Sequence, residues 1–140
     1  MSPEQAVYER ISQTATIVDL VADRIEPKRL PQMDPEAGPQ TPALVYFLVD
    51  DQDETTQDNR SGLVRARIQV DAYAETYAAV VQLAGVVKAA LIGEKWTASD
   101  GSRVWAFYGG GRDFAPEDPD VVLERRSADF LVTCRAPRQT

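Results

Sequence analysis

Apolar residues recur at helical spacing along residues 77–92, where Val80, Leu83, Ala84, Val87 and Leu91 fall at i, i+3, i+4, i+7 and i+11. Thr76 stands where an N-cap is needed, and Gly93 closes the run as a C′ residue. An isolated helix of that length is marginal in water, so its apolar stripe has to lie on a sheet or on another helix. Residues 63–73 alternate instead: Val64, Ala66, Ile68, Val70 and Ala72 point one way and Arg65, Arg67, Gln69 and Asp71 the other, which predicts a strand with one face on the core. Residues 43–49, an unbroken apolar run rich in aromatic and β-branched types, predict a buried strand. The polar, acidic stretch 50–62 between them reads as the loop of an antiparallel hairpin. Two further strands are expected at 103–108 and 121–135, separated by a turn at Gly109, Gly110 and Gly111 and a loop through Pro116 and Pro119.

At the start of the chain, Ser2 before Pro3 has the form of an N-cap with proline at the first helical position, and Val7, Ile11, Val18 and Val21 follow near helical spacing. Thr16 with Asp19 three residues later resembles a second capping signal, so this segment is one bent helix or two. Residues 26–42 hold prolines at 27, 31, 35, 39 and 42 and read as one long extended loop, either a plain connector or a contact segment. The order helix, two strands, helix, two strands predicts an α+β fold: an antiparallel sheet of about four strands with helices on one face, in a single domain over residues 1–140.

Composition narrows the chemistry. Fifteen Lys and Arg against twenty-two Asp and Glu leave a net charge of −7, which disfavours a groove that grips nucleic-acid phosphates. With no histidine and one cysteine, Cys134, most routes to zinc, to a histidine-activated nucleophile and to an intrachain disulfide are closed. Cys134 reads as a small packed residue, compatible with a reducing compartment. An enzyme would have to work with carboxylates such as Asp71 and Glu124 in one cleft. The opening residues Met1 to Gln5 lack an apolar signal core, so export is not expected. The longest apolar helical run is interrupted by Gln82 and Lys88 and falls short of the ~20 residues that span a bilayer, so no membrane segment is expected.

Four constellations remain. Asp50, Asp51, Asp53, Glu54 and Asp58 form an acidic cluster without the glycine and glutamate spacing of a calcium loop, which leaves a solvated loop or a partner contact, with a metal site the least favoured reading. The three glycines with Arg112 lack the Lys-Ser/Thr of a phosphate-binding loop. Arg65, Arg67, Arg125 and Arg126 form a candidate basic stripe, used either in weak surface pairs or against the acidic loop of a neighbouring subunit. Trp96, Trp105, Phe107 and Phe114 cluster late in the chain. Trp105 and Phe107 share one strand face opposite Val104 and Ala106, and bulky aromatics mixed with arginine are enriched at protein interfaces.

The ordered landmarks Val21–Pro27, Thr41–Tyr46, Arg65–Tyr73, the helix at 77–92 and Ser127–Val132 together resemble the tail-completion, or tail-terminator, family of long-tailed phages and prophages. The strongest piece is the arginine-alternating strand that ends in Val-Asp-Ala-Tyr directly before a helix. The resemblance implies a small α+β virion subunit without catalysis or cofactor, localised at the tail-neck junction and, during assembly, in the host cytoplasm. It further implies a ring, usually of six copies, that ends tail-tube growth and joins tail to head. Its partners would be itself, the tail-tube protein and a head-completion or neck protein, with DNA passing through but not specifically bound and no membrane involved. The acidic residues would then be a partner or lumen loop and the four arginines an inter-subunit face. The alternatives are a small monomeric or dimeric protein-binding adaptor and another neck component.

Overall fold

The computed structural model describes residues 1–28, 41–53, 62–114 and 123–137. The chain starts with two short helices, α1 (Pro3–Ser12) and α2 (Ala15–Val21). Ser2 caps α1 reciprocally: its hydroxyl accepts from the Gln5 N–H, and the Gln5 side chain accepts from the Ser2 N–H. The second helix starts at an N-cap, Thr14, that makes no side-chain capping bond, so the expected signal at Thr16 and Asp19 is not what starts it. The Thr14 hydroxyl instead donates back to the Arg10 carbonyl at 2.7 Å, which occupies the hydroxyl at the break between the helices.

Then come β1 (Ile25–Pro27), β2 (Ala43–Asp53), β3 (Leu63–Ala74), α3 (Tyr77–Ile92), β4 (Trp96–Thr97), β5 (Arg103–Phe114) and β6 (Glu124–Arg135). Helix α3 has its Thr76 cap, the hydroxyl accepting from the Ala79 N–H at 3.1 Å. Gly93 ends it with right-handed angles rather than as a left-handed C′ residue; a side chain there would press on the Ala89 carbonyl at 2.7 Å.

The sheet has six strands in the order β1-β2-β3-β6-β5-β4, two more than expected. The additions are the short flanking strands: β1, which pairs parallel with β2 at Leu44–Tyr46, and β4, which pairs antiparallel with β5. Part of the expected 26–42 loop is therefore strand, and residues 29–40 lie outside the described residues. The inner strands also run further than their apolar runs. β2 continues through Asp50 and Asp51 to Asp53, and β5 continues through all three glycines to Phe114. Both absorb an extra residue as a bulge, between Leu48 and Asp50 in β2 and between Tyr108 and Gly110 in β5. Gly110 takes φ 113°, which only glycine adopts without strain, so the triglycine bends a strand rather than leaving it.

One face of the sheet carries the core. Ala66, Ile68, Val70 and Ala72 of β3, Val104 and Ala106 of β5 and Phe130, Val132 and Cys134 of β6 pack with Ala6, Val7 and Ile11 of α1, Ile17 and Val21 of α2, and Val80, Leu83, Val87 and Leu91 of α3. Arg10 ties α1 to α3 by donating from Nε to the Ala90 carbonyl at 3.0 Å, and its guanidinium rests 5.2 Å from the ring centre of buried Trp96. Among the described residues no helix is long and apolar enough to cross a membrane.

Candidate functional site

Among the described residues no helix lies on the opposite face of the sheet, and strand alternation decides what it shows. Following the register across β2, β3, β6 and β5, one row reads Asp50, Arg67, Leu131, Phe107; the row of Arg65 continues through Thr133 to Trp105. These side chains line a shallow depression of about 360 Å³. Phe107 is 63% exposed and Leu131 41%, while Val104 and Ala106, their neighbours of opposite parity, go to the core. Large apolar side chains displayed beside arginines, with aspartate at the rim, are the composition of a protein contact surface.

Further along, the same face turns inward. Asp71, 1% exposed, accepts from Arg125 at Oδ2, from Nη2 at 2.8 Å and Nε at 3.2 Å, and from Gln69 Nε2 at Oδ1 at 2.8 Å. The Arg125 guanidinium lies 4.5 Å from the Phe114 ring centre and that of Arg112 5.0 Å from it. Arginine suits both roles, because its planar fork matches a carboxylate and its face stacks on aromatics.

Arg126, one residue on, points to the helix side. Its Nε donates to Asp113 Oδ1 at 2.6 Å and its Nη2 to Asp113 Oδ2 and to the Tyr77 hydroxyl, which itself donates to Asp113. The Arg126 hydrogen bond, then that of Tyr77, holds the Asp113 carboxyl below the usual carboxylate range. This cluster fastens the far end of β5 to the first turn of α3.

The expected basic stripe is thus divided. Arg65 and Arg67 stand exposed on the helix-free face, Arg125 shares that face but is held by Asp71, and Arg126 lies on the other face held by Asp113. The acidic group is divided too. Asp50 and Asp51 are strand residues on opposite faces of β2, Asp53 ends that strand, and Glu54 and Asp58 lie outside the described residues. Among the described residues no group of three His, Cys, Asp or Glu is arranged to hold a metal ion. Asp71 pairs in register with Ser127 and Glu124 with Ala74, which puts the two carboxylates on opposite faces and not in one cleft. Cys134 is buried, and burial pushes its thiol up to about 11.

Among the described residues the molecule is therefore a sheet with helices on one face and exposed apolar and arginine side chains on part of the other. The model of a protein family, tail completion protein gp17, matches residues 5–134, and the chain belongs to that family. It is accordingly a structural component of a phage-type virion, associated with other tail and head components, and not an enzyme. Among solved structures, a chain from the virion of a native gene transfer agent (GTA) particle superimposes with a TM-score of 0.58 at 18% identity, over 94% of this chain and 92% of that one. At that identity the likeness is one of fold. No curated protein matches the chain in sequence.

Proposed function

We propose that the protein forms a ring, of six copies as in the family it resembles, at the head-proximal end of the tail, where it stops growth of the tail tube and joins the tail to the head. The observation that carries this reading is the family match over residues 5–134. The helix-free face supports it, because exposed Phe107 and Leu131 beside Arg65 and Arg67 suit a surface that is covered in use. The partners are further copies of the chain, the tail-tube protein and a head-completion or neck protein, in one 140-residue domain per copy. DNA passes through the ring without being held, consistent with a net charge of −7 per copy. Arg65 and Arg67 belong to the inter-subunit or partner face, and the acidic segment from Asp50 meets a partner.

The test is mass by light scattering over a concentration series, alone and with the tail-tube protein of the same particle. Six times the 15.5 kDa of one chain, spontaneous or tube-induced, is the expected result. Replacing Arg65 and Arg67 together by glutamate should weaken assembly with neighbouring copies or the tube protein and leave the subunit folded. A monomer or dimer that ignores the tube protein refutes the ring and favours a small adaptor.

A further inference from the structure

Among the described residues, the short flanking strands pair with only part of the strands they border. β1 pairs only with Leu44–Tyr46 of β2, and β4 only with Arg103 and Val104 of β5. Beyond them, among the described residues, β2 from Phe47 to Asp53 and β5 from Trp105 to Phe114 have a strand on one side only. A bare strand edge is a row of N–H and C=O groups that another strand can pair with, and proteins ordinarily guard such edges. Here β5 is instead stripped of side chains at three consecutive glycines, and a Cβ built on Gly110 meets nothing within 4 Å. Each edge carries one bulge, and the two bulges flank a single row of the sheet, that of Ile68 and Phe130. Bulges defeat pairing with flat strands, so each edge is matched best by a partner of similar curvature.

The two edges also match in direction and charge. Three antiparallel pairings separate β2 from β5, so the two run oppositely. A second copy set beside the first in the same orientation therefore brings its β2 antiparallel to β5. Asp50 on one edge and Arg112 on the other are both exposed, and the register puts both on the helix-free face. None of the ion pairs among the described residues engages either of them.

We propose that the β5 edge of one copy pairs antiparallel with the β2 edge of the next, with Arg112 opposite Asp50, so that the sheets of successive copies join into one closed sheet. This rests on the ring reading above and names the contact that builds the ring. The stagger it demands is the right size. Arg112 aligns through Ser127 with Asp71, and Asp50 aligns with Arg67, four positions earlier on β3. Four residues at ~3.4 Å, set against four strands at ~4.8 Å, give a strand tilt of about 35°, at the lower end of the ~35–45° found where sheets close on themselves. The contact is heterologous, using two different edges of each copy, as a cyclic ring requires.

The test uses two full-length variants, Asp50→Arg and Arg112→Glu, made separately and then mixed. Alone, each sets like charges against each other at every junction and should lose the ring under conditions where the unmodified chain forms it, with circular dichroism and thermal midpoint unchanged. Mixed in equal amounts they should regain it, because alternation sets arginine against glutamate at one junction and Asp50 against Arg112 at the next. Rings of full mass from either variant alone would overturn the proposal, as would a mixture that stays unassembled while the unmodified chain assembles. If the unmodified chain forms no ring even with the tube protein, the ring reading itself falls.

Discussion

Replacing Arg125 by methionine should destabilise the fold much more than replacing its partner Asp71 by asparagine, although both changes break the same ion pair. The asymmetry follows from burial: the Asp71 side chain is 2% exposed and that of Arg125 30%. Without the guanidinium, Asp71 remains a desolvated carboxylate with Gln69 as its one side-chain donor among the described residues, and stranding one member of a buried pair costs about 3–5 kcal/mol. In Asp71→Asn the Gln69 contact is kept, and Arg125 still rests on the Phe114 ring while its fork turns to water. That change should cost about 1–2 kcal/mol, the scale of a lost charged hydrogen bond whose donor can rehydrate. At roughly 3–4 °C per kcal/mol for a chain of this size, the thermal midpoint should fall by about 9–20 °C for Arg125→Met and about 3–8 °C for Asp71→Asn. Urea unfolding followed by circular dichroism gives both free energies, and the double variant should lie closer to Asp71→Asn than to the sum. Equal losses for the two single variants would refute the reasoning.

Gly85→Ala and Gly110→Ala should act in opposite directions even though neither new Cβ meets an atom within 4 Å. The first sits within α3 and should stabilise by about 0.5–1 kcal/mol, and the second forces φ 113° on alanine and should cost about 1–3 kcal/mol, both readable from urea midpoints. Phe130→Ala empties the centre of β6 where the ring is 0% exposed, and a loss of about 3–5 kcal/mol is expected in the same assay. Asp100 is held at about 2, first by the Ser102 N–H and then by the Met1 amine and the Ser102 hydroxyl. Its folded value lies below the unfolded one of about 3.9, so its contribution is present above that pH and is lost as pH falls toward 2. Asp100→Asn should therefore show a smaller drop in stability between pH 5 and pH 2.5 than the unmodified chain, and equal drops would count against the assignment.

The elements legible in the sequence are those whose period runs long enough to speak for itself. Helix α3 and strand β3 lie within a residue of their expected bounds, because an apolar stripe of four turns and an alternation of eleven residues each admit one conformation. Strands β1 and β4, of three and two residues, carry no period. Ile25 is buried only because Leu44 and its neighbours arrive beside it from a distant part of the chain. The triglycine reads as a turn in any local view, since glycine weakens a strand interior. It is tolerated in β5 because, among the described residues, that strand beyond Val104 pairs on one side only, and there the glycines form the bulge. Asp71 falls on the polar side of its alternation, as read, but its burial comes from Arg125, 54 residues away. The separation of Arg125 from Arg126 was available in the sequence, because adjacent residues of one strand point to opposite faces.

Cys134 gives the protein a quiet chemical background. Its thiol is 3% exposed and burial holds it protonated at neutral pH, so maleimides and disulfide reagents should pass over the folded chain. Introduced cysteines can then carry a dye or a spin label at single, chosen surface positions without first removing the native residue. The same thiol becomes a clock for opening events: because Cys134 pairs with both Val64 and Val104, one residue from the ends of β6, β3 and β5, its slow labelling under excess reagent times the parting of these three strands at that end of the sheet.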